Sequence, residues 1–181
     1  MTRQGSVWNG LLAILLASSA PIVNAETPFI YGVGTHFPKD QSTVDAAMSL
    51  VQLAGFNSFR DDIYWHIVEA QSGAFKYPDF YERPVSNAKE AGIEPVLIFG
   101  RMSGAYKWRD GWSHKPVGDE KRKAFARYAS AVVRHYQGKV SLFELWNEWN
   151  QSEEPKTLEP YLALLKVVSP AVREANPAAR L

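Results

Sequence analysis

Between Phe29 and Asn176, short apolar runs alternate four times with amphipathic helical patterns, and this alternation admits very few folds. FIYGVG at Phe29–Gly34 is a β-rich run after Pro28. Ser42 or Thr43 can cap a helix in which Val44, Ala47, Met48, Val51 and Ala54 recur at helical spacing and Gly55 marks the end. NSFRDDIYW at Asn57–Trp65 reads as a second strand. A weaker helix covers about Phe80–Ala91, with Pro84 limiting its start and Gly92 its end. IEPVLIFG at Ile93–Gly100 is nearly all apolar, as in a strand covered on both faces. Asp119–Gln137 carries an apolar stripe of Phe125, Tyr128, Ala129, Val132, Val133 and Tyr136. Ser141–Asn147 is the fourth strand, and a last helix begins after Thr157, takes Pro160 in its first turn and is expected to kink at Pro170. Strand-helix alternation of this kind implies an α/β chain with a parallel sheet, right-handed crossovers, four strands and four helices.

Residues 1–25 stand outside the pattern. Met1–Asn9 holds Arg3 and no acid, Gly10–Val23 is apolar or small, and Val23-Asn24-Ala25 suits a cleavage site. This is the order of a secretory signal peptide, too short in its apolar part to span a bilayer. The expectation is an exported protein, periplasmic or extracellular, whose residues 26–181 form one domain. A net charge of +1 argues against nucleic acid and an anionic membrane as partners. The absence of cysteine excludes a disulfide framework, thiol catalysis and thiolate-bound metal. His36, His66, His114 and His135 show no HExxH or HxH spacing, so neither a metal nor another cofactor is expected. GVGTHF at 32–37 lacks the third glycine of a dinucleotide loop, and Gly100–Gly104 is G-x-x-S-G, not the nucleophile elbow G-x-S-x-G.

In parallel α/β architectures, ligands bind at the C-terminal ends of the strands. Apart from Trp8, every tryptophan (Trp65, Trp108, Trp112, Trp146 and Trp149) falls at such an end or in the loop after one. The expectation is an aromatic face. Indole rings cover the C–H faces of a sugar while amides, carboxylates and arginines bond its edges. FELWNEWN at Phe143–Asn150 sets Glu148 beside Asn147 and between Trp146 and Trp149. Glycosidic cleavage needs one acid to protonate the leaving oxygen and a second carboxylate at the oxocarbenium-like carbon. Glu148 has the position for the acid; its plainer reading is a carboxylate that caps a turn or pairs with a lysine.

On a regular strand Glu144, Trp146 and Glu148 share one face and Asn147 lies on the other. Asn147 and Glu148 can both reach a ligand only where the strand end is irregular. Glu144 then points to the interior and needs a partner. Arg60 is the candidate cation, either a site residue or simply paired with Asp61, Asp62 or Glu144. The loop 101–117, RMSGAYKWRDGWSHKPV, either adds Tyr106, Trp108 and Trp112 to a sugar surface or folds them onto itself. His36, ending the first strand, either meets sugar or is partly buried with a satisfied hydrogen bond.

The strand apolar-E-L-W-N-E, Phe59-Arg60 followed by Trp65 and Glu69, and AGIEPVLIF resemble the clan A glycoside hydrolases, retaining enzymes on a (β/α)8 barrel. The likeness is greatest to family 39 and family 5 members, including bacterial exopolysaccharide hydrolases, and runs from about Phe29 to the C-terminus. It implies Glu148 as general acid/base, Asn147 on the sugar 2-hydroxyl, Arg60 supporting an ionised nucleophile and His36 lining the sugar site. Trp149 stands where the family usually has proline, and Gly100-Arg101 where a histidine or aromatic residue is frequent. A barrel of this kind takes about 250 residues. The resemblance therefore implies the N-terminal half, units one to four of eight, with Asn176-Pro177 leading toward a fifth strand. The family's nucleophile, on strand seven, then falls outside the chain, and Glu153 and Glu154 read as solvated loop charges. The implied parent activity is retaining hydrolysis of O-glycosidic bonds in a polysaccharide or oligosaccharide, incomplete in this chain. Two other readings stay open: a non-catalytic carbohydrate-binding or structural half-barrel, and a homodimer that closes eight strands from two chains and covers the free edges.

Overall fold

A computed structural model describes residues 29–37, 41–108, 114–151 and 156–181. The signal-peptide pattern at 1–25, Trp112, Glu153 and Glu154 lie outside them. Four parallel strands form one sheet in chain order: β1 Gly32–Gly34, β2 Ser58–Tyr64, β3 Glu94–Gly100 and β4 Leu142–Leu145. The connections carry α1 Val44–Leu53, preceded by a 3-10 turn at Gln41–Thr43, then α2 Trp65–Val68, α3 Asp79–Ala91, α4 Asp119–His135 and α5 Leu158–Ala175. The parallel α/β architecture is the expected one, with one helix more. The single-turn α2 begins at Trp65, where the apolar pattern alone had continued the strand.

Register explains which side chains face the helices. Along β2, Phe59, Asp61 and Ile63 are buried, while Arg60 and Asp62 are half-exposed. Ile63, Leu97, Phe99, Phe143 and Leu145 pack with Phe125, Tyr128 and Val132 of α4, with Tyr136 just after it, and with Leu164, Val168 and Val172 of α5. A second, smaller core joins Phe37, Val44, Met48, Val51, Phe59, Ala88 and Ile93. The same stripe that marked α4 in the sequence is thus its buried face.

Two features differ from the sequence expectation, the place of Pro84 and the end of β4. Pro84 does not limit the start of α3, which begins at Asp79; its ring is buried in the helix interior, where packing offsets the missing backbone donor. Gly92 does end that helix, with φ 69° and its N–H turned back to Ala88 and Lys89. Pro170 lies within the span of α5. β4 stops at Leu145, two residues early, because Trp146 and Glu148 take left-handed φ values of 66° and 52°. Past Asn176-Pro177, Arg180 pairs in parallel with Leu142: its N–H donates to Ser141 O at 2.8 Å and its carbonyl accepts from Phe143 at 2.9 Å. The sheet therefore continues beyond β4. Among the described residues, no helix is long and apolar enough to cross a membrane.

Candidate active site

A cleft of about 600 Å³ opens at the C-terminal ends of β2, β3 and β4. Its wall includes His36, Trp146, Asn147 and Glu148, which the sequence had singled out. The strand-end irregularity required there is present. Trp146 N–H makes the last ladder bond, to Phe99 O at 2.9 Å, and the two left-handed residues then turn the chain so that Asn147 and Glu148 both reach the cleft. Non-glycine residues in this conformation are strained, and such strain concentrates at functional sites. The Glu148 side chain is exposed and, among the described residues, neither caps a turn nor pairs with a lysine.

Arg60 does two things at once. Its guanidinium grips Glu144 through two bonds of 2.7 Å, from Nε to Oε2 and from Nη2 to Oε1, and Nη2 also donates to Asn147 Oδ1 at 3.0 Å. Of the partners posed for Arg60, Glu144 is the one it grips, and the same guanidinium also bonds Asn147. The Glu144 hydrogen bonds, followed by its charge and those of Asp62 and Glu148, outweigh burial and raise the Arg60 pKa further. Arg60 is a permanent cation beneath the cleft.

The tryptophans behave differently from expectation. Trp65 is fully buried; its indole N–H donates to Glu69 Oε2 at 2.5 Å and its ring stacks on Tyr128 at 5.7 Å. Trp149 is also buried, donating to Thr157 O at 3.1 Å and meeting Tyr161 edge-on. Tyr106 and Trp108 stack on each other at 4.7 Å, and Tyr106 O–H donates to Glu69 Oε1 at 2.5 Å. These four residues do not line the cleft. Tyr106 and Trp108, in the loop after β3, fold onto Trp65, because covering large aromatic rings with one another removes apolar surface from water. Among the described residues, these aromatics form a layer beneath the site, and Trp146 is the tryptophan that lines the cleft.

Several cleft residues were not singled out by sequence: Asp62, Tyr64, His66, Arg101, His114 and Lys115. The signal available was register, since Asp62 and Tyr64 follow Arg60 at period two on β2. Tyr64 O–H donates to Asp62 Oδ2 at 3.2 Å, and burial, then the Asp62 charge, pushes its phenol up to about 12. His66 stacks on Tyr64 at 5.5 Å, and burial, then the Arg101 charge, lowers its pKa. Lys115 is buried; its Nζ donates to Trp149 O at 2.7 Å, tying the loop before α4 to the chain after β4. Ser103 of the G-x-x-S-G stretch is wholly buried and donates to Glu69 O at 2.7 Å, an anchor and not a nucleophile.

Among the described residues, one potential cation cluster is present. His36, Asp61 and Asp62 each offer a ligand atom within 4.8 Å of the others. Asp61 is already committed: its carboxylate accepts from Thr35 Oγ1 and Phe37 N at 2.8 Å and from Asp62 N at 2.7 Å. Its role is to hold the chain after β1 against β2, which places His36 at the cleft; burial raises its pKa against the lowering effect of those bonds.

The comparisons with known proteins agree with this geometry. The profile described as Cellulase (glycosyl hydrolase family 5) matches residues 23–181. A family 39 glycoside hydrolase from the gut symbiont Bacteroides cellulosilyticus WH2 is 34% identical, with a TM-score of 0.70 over 82% of this chain and 30% of that one. The β-glycosidase BGL167 is 17% identical, with a TM-score of 0.65 over 84% of this chain and 54% of that one. The exo-β-1,4-mannosidase Op5Man5 from Opitutaceae bacterium strain TAV5 is 20% identical, with a TM-score of 0.61 over 82% and 30%. These last two likenesses speak for the fold. The chain spans between 30% and 54% of the length of these three structures. The sheet described above is accordingly a partial (β/α)8 barrel, and the chain belongs to the glycoside hydrolases of the cellulase family, family 5.

Proposed function

We propose that this chain supplies the acid/base half of a retaining glycoside hydrolase active site, with Glu148 as the proton donor. The observation that carries the reading is the pair of left-handed residues, Trp146 and Glu148, which bring Asn147 and Glu148 to one cleft above the Arg60–Glu144 pair. In this reading Glu148 gives its proton to the glycosidic oxygen as the bond from that oxygen to the anomeric carbon breaks. A second carboxylate bonds the anomeric carbon, and Glu148, now ionised, takes a proton from the water that releases the sugar. Asn147, its carbonyl held by Arg60, presents its N–H2 to a sugar hydroxyl. Its orientation is set before substrate arrives, which lowers the ordering cost in the transition state. The family resemblance assigns the second carboxylate to a seventh strand, beyond the four described. Completion of the barrel by further (β/α) units, and export of the chain, belong to the same proposal.

The test is Glu148→Gln, in this chain and in any longer form that contains it, with turnover and oligosaccharide affinity measured side by side. Loss of at least about 100-fold in turnover with retained affinity is expected for removal of a general acid. Affinity in both proteins with turnover in neither supports a carbohydrate-binding module instead.

A further inference from the structure

Among the basic side chains of the cleft, Arg101 is one that the proposed hydrolysis leaves without a task. Arg101 directly follows β3, is exposed, and lines the cleft. Its backbone is left-handed, with φ 56°. Glycine would take that conformation without strain, so an arginine here is held against its own backbone preference. Among the described residues Arg101 makes no ion pair and no side-chain hydrogen bond. Its guanidinium lies 4.8 Å from the centroid of the Tyr64 ring, the same ring on which His66 is stacked.

The contrast with Arg60 is informative. Arg60 spends its donors on Glu144 and Asn147 and so works inside the protein. Arg101 lies over an aromatic ring, exposed, with donors that no described residue takes up. A guanidinium in this state matches a planar oxyanion through two parallel hydrogen bonds. Charge in the surroundings points the same way. Lys115 and His114 stand on the cleft wall with Arg101, and the carboxylates there are Asp62, engaged by Tyr64, and Glu148. His66, stacked on the same Tyr64 ring, is held toward its neutral form by burial and by Arg101 itself.

We infer that Arg101 is a specificity residue that reads an oxyanion substituent, a carboxylate or a sulfate ester, on a sugar unit bound in the cleft with Glu148. The substrate class is then an acidic polysaccharide or oligosaccharide. This rests on the sugar-cleft reading above and adds the charge of the substrate to it. It also accounts for the residue that departs from the resemblance at the end of the third strand, where a histidine or an aromatic side chain would bind a neutral sugar equally well.

The experiment is a titration of the folded chain, followed by heteronuclear NMR, with matched tetrasaccharides. β-1,4-Glucan and β-1,4-mannan tetrasaccharides are each compared with counterparts in which one unit is oxidised to a carboxylate at C6 or sulfated at O6. The wild-type chain is expected to prefer an acidic member over its neutral counterpart by about tenfold or more, the yield of a charge-assisted hydrogen bond. The carboxylate and sulfate arms identify which oxyanion is read. In Arg101→Gly that preference, taken as a ratio within the variant, falls to about one, while the folded spectrum persists because glycine suits the backbone. Arg101→Lys keeps the charge but not the fork and is expected to fall between. Equal affinity of the wild type for neutral and acidic ligands overturns the inference and leaves the sugar cleft standing, as does a preference that survives Arg101→Gly. Binding of none of the six ligands overturns the sugar-cleft reading itself.

Discussion

Replacing Trp65 with phenylalanine separates the two roles open to an indole at the end of β2. The ring is 0% exposed, stacks on Tyr128, and meets Phe125 edge-on at 5.4 Å. Its N–H donates to Glu69, a carboxylate that is also 0% exposed. Phenylalanine keeps a six-membered ring and loses the pyrrole portion with its donor. A hydrogen bond to a charged group contributes about 1.5–3 kcal/mol. Glu69 retains the Gly73 N–H at 2.6 Å and the Tyr106 O–H, so the lower part of that range applies, about 1.5 kcal/mol. The vacated volume adds about 1–2 kcal/mol, as in other large-to-small core replacements. The sum is about 3 kcal/mol, a large share of the stability of an ordinary domain. Urea unfolding followed by far-UV circular dichroism measures it as a shift in midpoint at unchanged slope, free of the fluorescence change that losing a tryptophan brings. A loss below about 1 kcal/mol would refute the buried-bond reasoning. Undiminished stability with abolished oligosaccharide binding would return Trp65 to the sugar surface.

Two further outcomes are expected. In a double-mutant cycle with Arg60→Met and Glu144→Leu, the coupling should be about 1 kcal/mol, because both side chains are 40% exposed and solvent screens the pair. A coupling of about 3 kcal/mol or more would mean that the pair is energetically buried. Gly32→Ala places a methyl carbon 2.6 Å from Ser58 O, in a stretch where β1 and β2 backbones pair directly. It should cost about 1–3 kcal/mol in thermal or denaturant unfolding, and an unchanged midpoint would show that β1 shifts freely on the sheet.

Legibility of the fold followed burial pattern. β3 and α4 were readable because an apolar run covered on both faces and an apolar stripe at helical spacing each leave an unmistakable trace. Pro84 was misread because a proline normally starts or breaks a helix; only the packing of its ring against the core makes an interior position tolerable. The site was legible in part. The need for an irregular end to β4 and for a cation opposite Glu144 followed from side-chain alternation alone, and the structure has both. Arg101, His66 and Lys115 left no such trace, since each comes from a different segment and acquires meaning only when the three strand ends lie side by side.

By itself, the sequence determined the parallel α/β class, the identity of the strand that leads into Asn147 and Glu148, and the end of the sheet at which they gather. These depend on periodicity and on chain direction, which are local properties. Tertiary structure alone decided which of the described tryptophans lie beneath the site, and that Arg60, paired with Glu144, also bonds Asn147 directly. It also decided that Arg101 keeps its donors free while Lys115 is turned inward. Exposure and partnership depend on what other segments cover, and a single strand or loop does not encode its own neighbours.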